Sequence, residues 1–335
     1  MAQIPAPPKE PNDLEAAIQR GMNRVKQAAS DWQKNKTCFS CHHQTLPMLA
    51  AVEAERVGFP LDQAWLKSQA EFTHGYFAEL IEVMKKGEHV PGGAGTLGYG
   101  FWALSLDQSS PDKTTEAMVA NLFRIQGVIR LRDRKPDSKP KIEDGRWMAS
   151  CRRAPIQSSH IGDTVLVLIG LEKFATPEQR PQMDKAHSAA EKWLAEVSTR
   201  DLQDRLWQLW GLHHFGGDPE RKKSLQDAIL AAQRDDGGWA ENDDRQSDTY
   251  STGQTLFMLC KTGTAPEHPT VVRAMDYLLK TQYADGSWLA ESHVKFKAQP
   301  YFENGDPHGE HQFLSTAATA WATAGLSQLL PPKLK

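Results

Sequence analysis

Two kinds of segment alternate along the chain. In the first kind, apolar residues recur at intervals of three and four with charges between them: residues 11–33, 61–87, 112–132, 176–198, 218–233 and 268–282. That period marks an amphipathic helix. Several of these stretches open at Pro or Asp, among them those at Pro11, Asp112 and Asp218, as helix starts do. Each is followed by a run that is apolar or small on all sides: residues 41–54, 95–106, 160–174, 203–216, 247–260 and 312–326. A helix of that composition belongs in a core. Strand-like alternation is almost absent. The pattern predicts an all-α protein of six helix hairpins, each an outer amphipathic helix leading into an inner buried one. Six antiparallel hairpins closing on themselves make a single (α/α)6 toroid, and closure covers the end faces that an open solenoid would have to cap. The expected domain spans residues 13–330, after a flexible, Pro-rich N-terminal segment over residues 1–12.

Two loops repeat almost letter for letter. Gln233 to Trp239 reads QRDDGGW, and Gln282 to Trp288 reads QYADGSW. Both have the form Q-x-x-x-G-x-W and both end an outer helix. A third stretch, EDGRW from Glu143 to Trp147, keeps the D-G-x-W half. Glycine permits the tight turn after the helix, and tryptophan packs across to the next hairpin. These loops resemble the QW motif of the squalene-cyclase and prenyltransferase-β superfamily. The resemblance covers the C-terminal half through the loops and the N-terminal half only through the helical period. It implies the α/α toroid, but fold does not fix function. Class II terpene cyclases of that superfamily protonate an alkene with a D-x-D-D box, and no such box is present. The nearest string is Glu241-Asn242-Asp243-Asp244, which reads as a solvated loop. The zinc set of protein prenyltransferases has no match either, because Asp248 is followed by Thr249 and Tyr250 rather than by a paired cysteine.

Candidate chemistry sits ahead of the inner helices. The short strings GDT and SDT place Asp163 and Asp248 there. Such carboxylates are helix N-caps or, facing a cavity, groups that act on a ligand. Aligning Thr45 with Thr164 and Thr249 puts Cys38-Phe39-Ser40-Cys41-His42, a C-x-x-C-H box, at the same rim. Its resemblance to c-type cytochromes covers these five residues only. It implies a covalent haem c, with Cys38 and Cys41 as thioether donors and His42 as the axial iron ligand. A metal-binding or redox dithiol and a structural role are the other readings of the pair. Candidates for a distal iron ligand are His160 and His311. Arg152 and Arg153, in a long loop near the same rim, are candidates to pair with haem propionates or an anionic substrate. The chain has four cysteines; a chain this long is not held by a disulfide framework of that size, and Cys260 reads as a small buried apolar residue.

Composition narrows the classes further. The net charge of -3 leaves no basic footprint for nucleic acid. Ten tryptophans are many, and such rings line cores and cavities. No apolar run approaches the roughly 20 residues of a membrane span. The opening MAQIPAPPKEP has no signal-peptide pattern. It reads as the start of a mature periplasmic or secreted chain whose signal was removed; the alternative is a cytoplasmic protein. Three functions follow as expectations. The first is an exported c-type haem protein with a redox or oxidative role toward a small apolar ligand or an electron carrier. The second is a haem-free enzyme like a terpene cyclase or prenyltransferase. The third is a non-catalytic toroid that binds a lipid or a protein.

Overall fold

The computed structural model describes residues 13–127, 145–150, 154–293 and 303–333. Arg152, Arg153 and the segment 1–12 lie outside the described residues. Among the described residues, thirteen α-helices run in the order α1 Leu14–Asn35, α2 Leu46–Arg56, α3 Gln63–Glu79, α4 Ile81–Lys85, α5 Gly93–Leu106, α6 Lys113–Ile125, α7 His160–Phe174, α8 Arg180–Glu196, α9 Leu202–His214, α10 Pro219–Ala231, α11 Thr249–Lys261, α12 Pro269–Thr281 and α13 Gln312–Ser327. Among the described residues the only ladder-type pairing is an isolated bridge between Trp239 and Asp248. The expected hairpins are therefore present in all-α form. The second amphipathic stretch is divided at Leu80, giving α3 and the single turn α4.

The chain divides into two compact units, residues 1–69 with 226–335, and residues 70–225. In the first, α13 packs between α2 and α11 and also lies on α1. In the second, α7 packs between α5 and α9. The helices at the centre of each arrangement are buried on all sides. Every residue of α13 from Leu314 to Ser327 is buried, as is most of α7. The amphipathic helices α1 and α12 bury one stripe each, such as Ile18, Met22 and Val25 on α1. This is the division of labour that the two sequence patterns predict. Side-chain caps set several starts, with Asp13, Asp112, Asp201 and Asp248 accepting backbone N–H groups of the first turn.

The Q-x-x-x-G-x-W turns carry one repeated set of hydrogen bonds. The Gln282 amide donates to Gly286 O of its own turn at 3.1 Å and to Ala17 O of α1 at 2.9 Å. Gln233 donates likewise to Gly237 O and to Thr270 O of α12, both at 2.8 Å. Each indole N–H returns to the preceding helix, Trp288 to Leu278 O at 2.9 Å and Trp239 to Ile229 O at 2.8 Å. Gly286 has φ +87°, and a Cβ there would lie 2.5 Å from Arg20 O, so the turn requires glycine twice over.

The third turn is also complete, although its sequence shows only the second half. Gln126, the C-cap of α6, donates to Gly145 O at 2.8 Å and to Ala186 O of α8 at 2.9 Å. The Trp147 indole donates to Leu122 O at 2.9 Å. The glutamine and glycine are four residues apart in the other two turns and 19 apart here. All three tryptophans are fully buried. Trp288→Ala is expected to destabilise the protein by about 3–5 kcal/mol, the usual cost of deleting a buried Trp. Gln126→Ala is expected to cost about 1–3 kcal/mol, because two buried carbonyls lose their donor. Chemical denaturation of both variants checks the pair, and an unchanged midpoint for Gln126→Ala would remove it from the motif.

Candidate active site

The turn tryptophans also fix the register of the buried helices, and this corrects the alignment of the rim residues. The backbone N–H of Trp147 donates to Thr164 Oγ1 at 2.9 Å, that of Trp239 to Thr252 at 3.0 Å and that of Trp288 to Thr319 at 3.0 Å. Thr164 thus corresponds to Thr252, not Thr249. Asp163 and Asp248 are consequently not equivalent. Asp248 is the N-cap of α11, accepting from Ser251 N and from Ser251 Oγ, each at 2.8 Å. Asp163 is in the first turn of α7 and is not its cap: Ser159 Oγ caps α7 by accepting from Gly162 N at 2.9 Å.

Asp163 instead lies over the first turn of α5. Its carboxyl accepts from the Gly95 backbone, and a Cβ on Gly95 would meet Asp163 Oδ1 at 2.7 Å. Burial pushes this carboxyl up to about 8, and the Gly95 hydrogen bond offsets only part of that. It is therefore protonated at neutral pH. The next buried helix presents a carboxyl of opposite character. Asp204, in the first turn of α9, accepts from Ser159 Oγ at 2.6 Å and from Arg200 Nε at 2.8 Å. Burial would raise it, but Arg200 and Ser159 together hold it below the usual carboxylate range. A neutral acid and an ionised carboxylate thus share one unit and are linked through the cap of α7.

Aromatic rings stand beside them. Trp207, one turn along α9 from Asp204, packs against Gly162, where a Cβ would lie 2.9 Å from its ring. Trp207 is 6.2 Å from Trp102 of α5 and 6.3 Å from Trp210, centroid to centroid, and Trp102 is 6.2 Å from Trp210. Trp207 is buried, while Trp102 and Trp210 are half-buried. Asp204 and this cluster were not among the candidates read from the sequence. The signal was available, since Asp201-x-x-Asp204 opens the fourth inner helix as a cap followed by a first-turn acid. His160, in the same unit, accepts from Ala149 N at 2.9 Å.

The C-x-x-C-H box lies in the other unit. Cys41 to Thr45 form one π-helical turn leading into α2. Cys38 is exposed, and Cys41 and His42 are buried. Among the described residues neither cysteine is in a disulfide. Cys41, Asp248 and Glu241 each bear electrostatically on Tyr250. Burial, opposed by Ser251, raises the Asp248 carboxyl. Glu241, expected in a solvated loop, is buried, with His293 Nδ1 at 3.1 Å and Arg245 Nε at 3.6 Å. His311 accepts from Ser292 N at 3.1 Å. Among the described residues, no group of three or more His, Cys, Asp or Glu is disposed to hold a metal ion, and no helix is long and apolar enough to cross a membrane.

No family model and no curated protein sequence matches the chain. Solved structures do. A type II terpene cyclase from Scytonema, MstE, in complex with its substrate geranylgeranyl dihydroxybenzoate, is 16% identical over 94% of this chain and 98% of that one, with a TM-score of 0.51. A protein from Actinoplanes is 13% identical over 95% and 99%, with a TM-score of 0.54. A glycosidase is 11% identical over 94% and 98%, with a TM-score of 0.55. At these identities the likeness shows the fold class alone, an all-α arrangement of helix hairpins of the α/α toroid type.

The charge state of Asp163 has a measurable sign. Its carboxyl titrates near 8 in the folded chain and near 3.8 when solvated. Between those values the unfolded state holds fewer protons, so this group lowers stability as pH rises through that window. Asp163→Asn is therefore expected to melt higher than wild type at pH 8 and to lose most of that advantage at pH 4. A pH series of thermal melts decides it, and a pH-independent difference would contradict the buried acid.

Proposed function

We propose that the protein is an enzyme like a terpene cyclase, acting by acid–base chemistry on a small apolar ligand of isoprenoid type. The observation that carries this reading is the buried, protonated Asp163 in the same unit as the tryptophans of α5 and α9. A neutral carboxylic acid in an apolar setting is a proton donor. The Asp163 proton would pass to an alkene carbon, the π pair forming the new C–H bond and leaving a carbocation. Faces of Trp207, Trp102 and Trp210 stabilise such a cation through their ring quadrupoles. Ring closure moves the cation along the chain, and loss of a proton from carbon ends the sequence; solvent returns a proton to Asp163. Asp204, fixed as an anion by Arg200, keeps its own proton off and adds negative potential to the unit.

The geranylgeranyl substrate of the Scytonema cyclase supports an isoprenoid in this chain, and the Q-x-x-x-G-x-W turns support the same superfamily. The glycosidase likeness supports carbohydrate chemistry only through the shared fold. The acid differs from the D-x-D-D box of class II cyclases in being a single carboxyl on α7. Incubation with geranylgeranyl-type substrates should yield cyclised product, and Asp163→Asn should reduce the rate by at least about 100-fold, the low end for general acid catalysis. Trp207→Leu should lower turnover while retaining the fold. Full activity in Asp163→Asn would end this assignment.

A further inference from the structure

Arg24 of α1 stands beside a small polar cavity in the unit that holds α13. Its Nη2 pairs with Asp306 Oδ1 at 2.9 Å, and Asp306 Oδ2 lies 2.7 Å from Nε2 of His43, the residue after the C-x-x-C-H box. Arg24 Nε is buried and has no hydrogen-bond partner among the described residues. A buried N–H left unpaired carries its full desolvation penalty. The cavity has a volume of about 10 Å³, and Arg24 lines it together with Ser287 of the Gln282–Trp288 turn and with Ser315, Thr316 and Thr319 of α13.

The hydrogen bonds of these hydroxyls define what the cavity can hold. Ser287 Oγ donates to Asp285 Oδ1 at 2.6 Å, Ser315 Oγ to Ala290 O at 3.3 Å and Thr319 Oγ1 to Ser315 O at 2.7 Å. A hydroxyl has one hydrogen and two lone pairs, so each of the three has already given its hydrogen. Each also accepts once. Ser287 accepts from His308 Nε2 at 2.8 Å, Ser315 from Ala290 N at 3.1 Å and Thr319 from Trp288 N at 3.0 Å. One lone pair remains on each oxygen. The lining is therefore rich in acceptors, and Arg24 Nε–H is a donor in need of one.

That balance selects a neutral occupant. An anion would meet the oxygen lone pairs, and a cation would meet the guanidinium. Water does neither: its oxygen accepts from Arg24, and its two hydrogens go to hydroxyl oxygens. The volume agrees, since a water needs roughly 10–15 Å³ and two to four polar partners. We propose that this cavity binds one resident water, which accepts from Arg24 Nε and donates to hydroxyl oxygens of Ser287 and α13. The water joins α1 to the Gln282–Trp288 turn. One helical turn earlier, Arg20 Nη2 makes the same link directly, donating to Gln282 Oε1 at 3.0 Å. None of this depends on Asp163.

The test uses crystals of the full chain, native and soaked in sodium bromide. A peak about 2.7–3.2 Å from Arg24 Nε, refining as water and without anomalous bromide signal, is expected. An anomalous peak there would make the cavity an anion site and overturn the proposal. An empty cavity, or Arg24 Nε bonded to a protein group, would overturn it as well. In solution, 15N-edited NMR should show the Arg24 Nε hydrogen cross-relaxing with a long-lived water, and no such signal would count against the site. Arg24→Met keeps the side-chain stem and removes the donor, so the peak should be lost. A peak retained at full occupancy would show that the hydroxyls hold the water without Arg24 and would overturn its assigned part. Should Arg24→Met fail to fold, the wild-type crystal and NMR results decide.

Discussion

The glutamine amide of the Q-x-x-x-G-x-W turn is the constraint on which the described hairpins depend. One NH2 group satisfies a carbonyl in its own turn and another in the next amphipathic helix, as Gln282 does with Gly286 and Ala17. A helix end leaves carbonyls without partners, and a buried one needs them paired. The amide does this at the point where the chain turns inward, so the same bonds set both the end of one amphipathic helix and its distance from the next. The indole then locks the turn from below, and its backbone N–H sets the rotation of the following buried helix through a threonine hydroxyl. Three interactions per turn thereby set the rotation of α7, α11 and α13, the first of which carries Asp163.

Asp163 on α7 and Asp204 on α9 meet different fates although the two helices pack together. Among the described residues Asp163 meets a glycine backbone and no cation, so burial dominates and the neutral form is favoured. Asp204 has a guanidinium and a hydroxyl in reach, so the ionised form survives burial. Ser159 touches both environments, capping the helix that carries Asp163 while donating to Asp204. In the other unit Arg24 Nη2 pairs at 2.9 Å with Asp306, whose side chain has no exposure.

Periodicity made the helices legible because burial is encoded residue by residue along each one. Two of the three turns were legible for the same reason: their parts are close in sequence. Gln126 was not, since 19 residues separate it from Gly145 and only the fold brings them together. The rim failed in an instructive way. GDT and SDT match as letters, but the hydrogen bond from Trp147 selects Thr164 while that from Trp239 selects Thr252. A local string carries no information about which turn of a helix faces a given loop. Asp306 was invisible because its meaning lies in His43, 263 residues away. The C-x-x-C-H box was legible as a motif, whereas the polar chain behind it was not.

The bond from Gln282 to Ala17 spans 265 residues. During synthesis α1 leaves the ribosome long before α12 and α13 exist. At roughly 5–20 residues per second, its apolar stripe waits on the order of tens of seconds for the helix that covers it. Contacts of such sequence separation slow folding and prolong exposure of apolar surface. Helix α1 thus waits for its final neighbours, and through that interval Cys41, buried in the finished core, is as open to solvent as Cys38, which stays exposed.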